Sequence, residues 1–86
     1  MYDLTDRRSA RNYLARLPLN IKTTLVEKLH ALAIEPYNPT LDTKPIKGGL
    51  GYRLRVGKYR VIYTIQDDIL VIEIVKIRSR GDIYGR

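Results

Sequence analysis

The period of the apolar residues changes once along this chain, and that change limits the folds open to it. Before Pro36 the spacing is helical. Ala10, Tyr13, Leu14 and Leu17 recur at helical intervals, Pro18 interrupts them, and Ile21, Leu25, Leu29 and Leu32 mark a second helix that Pro36 ends. After Gly51 the period is two: Tyr52-Arg53-Leu54-Arg55-Val56 alternates, Gly57-Lys58 turns, and Tyr59 to Ile65 returns. Asp67-Asp68 marks another turn, and Ile69 to Ile77 is a near-continuous apolar run of the kind found in central strands. Tyr2 to Leu4 fits a short edge strand, with Thr5 or Asp6 placed to cap the first helix. Tyr37 to Gly51, with Pro39, Pro45, Gly48, Gly49 and Gly51, reads as a loop. The expected architecture is α+β: an N-terminal helical hairpin packed on one face of a small, mostly antiparallel four-stranded sheet.

A chain of 86 residues makes a single domain, 1–86, and a core this small buries only about 60–65% of the surface the unfolded chain exposes. There is no cysteine and no evident metal cluster to reinforce it, so a partner that covers apolar surface is expected. The first six residues lack a basic stretch leading into an apolar run, and no segment approaches the roughly 18 apolar residues of a membrane span. A cytoplasmic protein without membrane partner, metal or small-molecule cofactor is expected.

The net charge of +7 is unevenly placed. Residues 1–43 carry six basic and five acidic side chains, whereas residues 44–86 carry ten basic and four acidic. From Lys44 to Arg60 there are six basic residues and no acid. Such a surface suits a polyanion, although a basic face that merely keeps the protein soluble has the same composition. Strand parity sharpens the choice. Arg53 and Arg55 leave the same face of a strand, Leu54 and Val56 the other, and a hairpin closing at Val56–Tyr59 brings Arg60 across from them. Three guanidiniums on one face repel one another unless an anion lies between them, and the planar fork of arginine grips two phosphate oxygens at once. A second set, Lys76, Arg78 and Arg80 followed by Tyr84, leaves the end of the last strand beside the first.

Other candidates are weaker. His30 is the only histidine and falls on a helix flank, so a histidine acid–base pair is excluded by count. Ser9 and Ser79 have no evident base, and Asp67-Asp68 is turn chemistry rather than a metal site. Gly48-Gly49-Leu50-Gly51 lacks the lysine and Ser/Thr of a phosphate-binding loop and is a flexible joint. Some of the seven tyrosines suit base stacking, while Tyr13 and Tyr63 suit core or groove packing.

The helical hairpin, the segment Gly51-Tyr52-Arg53-Leu54-Arg55-Val56-Gly57-Lys58-Tyr59-Arg60-Val61-Ile62-Tyr63 and the closing Arg78-Ser79-Arg80-Gly81-Asp82-Ile83-Tyr84 together resemble the RelE/ParE family of toxins over essentially the whole chain. The resemblance implies the toxin of a type II toxin–antitoxin pair, with a cognate antitoxin as partner. RelE-type members are ribosome-dependent endoribonucleases that cut mRNA in the decoding site. ParE-type members share the fold, lack the basic–tyrosine set and act on DNA gyrase. Carried over by position, the catalytic set falls on Arg53, Arg55, Arg60, Arg78 (with Arg80 beyond it) and Tyr84. Lys47, Lys58, Lys76 and Arg80 are the basic residues expected to hold RNA around it. RelE-type relatives carry lysines at the positions of Arg53 and Arg55. Lysine can release a proton and arginine in practice cannot, so the resemblance leaves the general base open. A metal-independent endoribonuclease, a gyrase-inhibiting toxin and a non-catalytic RNA-binding relative all remain compatible with these residues.

Overall fold

The computed structural model describes residues 1–49 and 51–79. Its elements are β1 (Asp3–Asp6), α1 (Arg8–Ala15), α2 (Leu19–Ile34), β2 (Thr43–Pro45), β3 (Tyr52–Val56), β4 (Tyr59–Gln66) and β5 (Val71–Ser79). The strands form one sheet in the order β1-β5-β4-β3-β2, with β1 parallel to β5 and the other pairs antiparallel. The α+β architecture is the expected one, but the sheet has five strands rather than four. The added strand is β2, inside the segment read as a loop. Pro45 gave the opposite signal, yet proline is tolerated on an edge strand, where its missing N–H faces away from the neighbour.

The start of α1 also differs from expectation. Thr5 and Asp6 belong to β1, and Arg7 occupies the cap position without a side-chain capping bond. Its amide instead donates to the Ile74 carbonyl at 3.0 Å, which ties the helix entry to the sheet. Asp6 accepts from Arg11 Nη2 at 3.0 Å and Nε at 3.2 Å. Pro18 falls between the helices and caps α2, as a residue with preset φ and no amide donor should.

The core lies between the helices and one sheet face. Ala10 of α1 and Leu25, Leu29 and Leu32 of α2 are buried with Leu54, Val61, Tyr63, Ile72, Ile74 and Ile77. Leu54, Val61 and Ile77 are paired directly across β3, β4 and β5, so they share a face. Tyr63 is fully buried and its ring stacks on Tyr52 at 5.7 Å between centroids. Among the described residues its hydroxyl has no hydrogen-bond partner although Thr43 is close by, and burial pushes its pKa up to about 12.

One irregularity decides what the other face carries. The β4–β5 register pairs Ile62 with Lys76 but Tyr63 with Ile74, so Val75 is an extra residue on β5. Strict alternation from the buried Ile72 and Ile74 would send residues 76 and 78 into the core. The bulge resets parity, so Ile77 is buried while Lys76 and Arg78 are exposed. Among the described residues, no helix is long and apolar enough to cross a membrane.

The turn joining β4 to β5 is held by tyrosines from elsewhere. Tyr2 donates to Asp67 Oδ1, and Tyr37 donates to Oδ2 at 3.1 Å. The bond to Asp67 pushes the Tyr2 pKa up to about 12, and desolvation followed by the same carboxylate raises that of Tyr37. An unfolded tyrosine ionises near pH 10, so over pH 10 to 12 the unfolded chain releases protons that the folded one keeps. Stability falls as pH rises through that window, and Asp67→Asn should show a shallower fall when unfolding midpoints are measured at successive pH values. A second prediction concerns Gly51, which has φ +116 and would place a Cβ at 2.5 Å from the Tyr63 carbonyl oxygen. Gly57 has φ +59 and open space around it. Gly57→Ala should cost about 1–2 kcal/mol for the left-handed backbone alone, and Gly51→Ala more, as read from denaturant midpoints.

Candidate functional site

The sheet face turned away from the helices carries two rows of cations. Arg55 of β3 pairs with Arg60 of β4, which pairs with Arg78 of β5. Two residues along each strand on the same face, Lys44 of β2 pairs with Arg53, Arg53 with Ile62, and Ile62 with Lys76. Neighbouring strands lie about 4.8 Å apart, so six cationic side chains and one isoleucine occupy a patch of roughly 15 Å by 7 Å. Cationic side chains directly opposite one another across strands are destabilising by a fraction of a kcal/mol, which is tolerable only over a sound core.

The side chains differ in freedom. The Arg53 side chain is only 11% exposed and that of Arg55 is 55% exposed. Both meet Asp42: Arg53 Nη2 at 3.7 Å from Oδ1, and Arg55 Nε at 4.0 Å from Oδ2. The Arg55 amide also donates to the Asp42 carbonyl at 2.9 Å. Among the described residues, Arg60 and Arg78 have no carboxylate within ion-pair distance. Lys58 occupies the β3–β4 turn at the end of the first row, its Nζ 5.7 Å from the centre of the Tyr59 ring. Past the β1–β5 pairing, a cleft of about 180 Å³ is lined by Ser9, Ala10 and Tyr13 of α1 and by Lys76, Ile77 and Arg78 of β5.

Of the residues expected at the site, Arg53, Arg55, Arg60, Lys76 and Arg78 come together on one face, and Lys58 borders them. Lys47 lies in the loop past the Pro45–Tyr52 pair and is brought into neither row. Arg80 and Tyr84 lie outside the described residues. Sequence reasoning missed two participants. Lys44 takes the place on β2 beside Arg53, and Asp42 is carried to the two arginines by the same strand. The available signal was short: Asp42-Thr43-Lys44 alternates for three residues before Pro45 masks it. Among the described residues there is no group of three or more His, Asp or Glu side chains able to hold a metal ion. What the patch offers is a fixed array of N–H donors carrying positive charge, suited to the oxygens of successive phosphates.

The profile of the family described as "ParE toxin of type II toxin-antitoxin system, parDE" matches residues 4–84. Toxin RelG of Mycobacterium tuberculosis is 32% identical over 80 residues, spanning 91% of this chain and 90% of the relative. The structure resembles one from the archaeal RelE–RelB complex of Pyrococcus horikoshii, with TM-score 0.80, 30% identity and coverage of 93% of this chain and 96% of that one. It also resembles one from a RelBE toxin–antitoxin complex of Mycobacterium tuberculosis, with TM-score 0.79, 28% identity and coverage of 92% and 98%. With the profile covering nearly the whole chain and the sheet and helices superposing on RelE-type structures, the chain belongs to the RelE/ParE superfamily of toxins of type II toxin–antitoxin systems.

Proposed function

We propose that this toxin is an mRNA endoribonuclease of the RelE type that works in the cytoplasm on ribosome-bound message and so inhibits translation. The observation that carries the reading is the directly paired row Arg55, Arg60 and Arg78 with Arg53 beside it, on a rigid sheet face. In the reaction, the ribose 2′-oxygen forms a bond to the adjacent phosphorus, its proton passes to a base, the bond from phosphorus to the 5′-oxygen breaks, and that oxygen takes up a proton. The products are a 2′,3′-cyclic phosphate and a free 5′-hydroxyl, with no metal required. Negative charge grows on the non-bridging oxygens in the transition state. Arg53, Arg55 and Arg60 stabilise it, each such donor being worth roughly 2.7–4 kcal/mol. Arg78 lies at the leaving 5′-oxygen. Tyr84 orients the 2′-hydroxyl or stacks on a base, and Lys58, Lys76, Arg80 and, more distantly, Lys47 hold the strand.

Arginines cannot act as the base, which leaves positioning as the main source of rate. A ribosome that presents the message in a fixed conformation supplies that positioning. The partner that restrains the toxin is a cognate antitoxin, in keeping with the RelE–RelB and RelBE complexes among its structural relatives. A gyrase-directed activity is the second reading, and the matching ParE-type family profile favours it. The basic rows speak for RNA.

Purified protein should cut mRNA in translating ribosomes and leave the same RNA intact when free, with Arg78→Ala and Tyr84→Phe much slower. Intact ribosomal mRNA together with stalled gyrase would establish the ParE-type activity instead. The row makes a further prediction. Arg60 lies between two other arginines, so Arg60→Gln should abolish most cleavage while raising folding stability by about 0.2–1 kcal/mol at low ionic strength. The gain should shrink as salt screens the repulsion. Loss of activity with lowered stability would assign Arg60 to the fold rather than to the substrate.

A further inference from the structure

Asp42 is the only carboxylate within ion-pair distance of either basic row among the described residues. Its position is built. The Arg55 amide donates to its carbonyl at 2.9 Å, and the Thr43–Leu54 pairing sets Asp42 opposite Arg55. Its carboxylate straddles the two arginines of β3, one oxygen 3.7 Å from Arg53 Nη2 and the other 4.0 Å from Arg55 Nε. These are ion-pair separations and not hydrogen bonds, so the guanidinium donors remain unspent. The Asp42 side chain is 53% exposed, which leaves it room to turn outward.

We infer that Asp42 is a built-in competitor for phosphate, a carboxylate held where a phosphate group of the substrate would lie between Arg53 and Arg55, so that RNA binds by displacing it. This rests on the reading of the patch as a phosphate-binding surface. An isolated phosphate must exchange against a counter-ion already in place and gains little. A strand that also reaches Arg60, Arg78 and Lys76 gains contacts for which no internal competitor exists among the described residues. Asp42 therefore lowers affinity for stray polyanions and favours a strand presented across both rows. It is a specificity-determining residue and takes no part in the chemistry.

The test compares the full-length wild type with Asp42→Asn and with Glu27→Gln, which removes the same charge from an exposed position on α2. The probe is a 2′-O-methyl RNA of roughly 12 residues, which presents phosphates and cannot be cut by 2′-hydroxyl attack. Affinity is measured between about 50 and 200 mM salt, and retention on immobilised heparin is measured in parallel. Asp42→Asn should bind about two- to fivefold more tightly than wild type, the size of one or two exposed ion pairs. Its log–log salt dependence should steepen by about 0.7, one added phosphate contact on a single strand. Glu27→Gln should change both by less, and Asp42→Asn should leave heparin at the higher salt. Asp42→Ala should move in the same direction as Asp42→Asn, with thermal melts showing both variants folded. Weaker binding by the Asp42 variants, or a change no larger than that of Glu27→Gln on both polyanions, overturns the inference. Because the probe is uncleavable, the outcome separates from the nuclease reading: a wild type that fails to cut mRNA while Asp42→Asn binds polyanions more tightly removes the reading alone, and cleavage without that gain removes the inference alone.

Discussion

The β4–β5 pairing, with Val75 inserted as an extra residue, is the constraint on which the rest of the structure depends. Upstream of the bulge it puts Ile72 and Ile74 into the core, and downstream it puts Ile77 there, although Ile74 and Ile77 are three residues apart and strict alternation forbids it. The helices bury their apolar faces against that surface, while β1 and β3 attach to the two sides of the same pair. The basic face exists because of the same residue. Without the shift, Lys76 and Arg78 would point to the core face, and the arginines of β3 and β4 would have no counterpart on β5.

Packing and charge are thus divided between the two faces of one thin layer. The inner face gathers Leu54, Val61, Tyr63, Ile72 and Ile77, all nearly or fully buried, and supplies cohesion. The outer face holds like charges at strand spacing and detracts from stability. A protein that needed only solubility would scatter its cations among acids, as the pairs Arg7–Glu73 and Arg11–Asp6 do around β1 and α1. At Arg60 and Arg78 no such carboxylate is near among the described residues, and the cost persists on elements too rigid to relax it. Strain of this kind is expected where a surface is shaped for an anionic partner.

Much of this was legible in the sequence because it follows from parity and period. Leu25, Leu29 and Leu32 announced the inner face of α2, and the Arg53, Arg55 and Arg60 set announced the hairpin and its outer face. Three things were hidden, each for a physical reason. Strand β2 is three residues long and contains proline, so neither length nor propensity marks it. Pairing then brings Asp42 and Lys44 into a site that reads from the sequence as free of acids. The bulge at Val75 was hidden by its own surroundings, since in the run Val71-Ile72-Glu73-Ile74-Val75 an extra apolar residue leaves no break in the pattern. The cap of α1 failed for a related reason: Thr5 and Asp6 are good capping residues, but the parallel pairing to β5 claims their backbone first.

The arginines at positions 53 and 55 have a structural counterpart in Asp42. A lysine ammonium presents one point charge on a flexible stem, whereas a guanidinium spreads charge over a plane and is more weakly hydrated. Arg53, with its side chain almost covered, is therefore a side chain that suits arginine: burying an ammonium to the same extent would cost more in lost hydration. A carboxylate across the strand offsets part of the remaining cost, and its long separations keep it exchangeable. Permanent cations and an exchangeable counter-ion together make a surface tuned for binding and charge stabilisation, and poorly suited to moving protons. On the proposed reading the proton transfers fall to groups outside the two rows, and the sheet contributes the one thing a rigid sheet does well, which is to hold charge in register with a strand of phosphates.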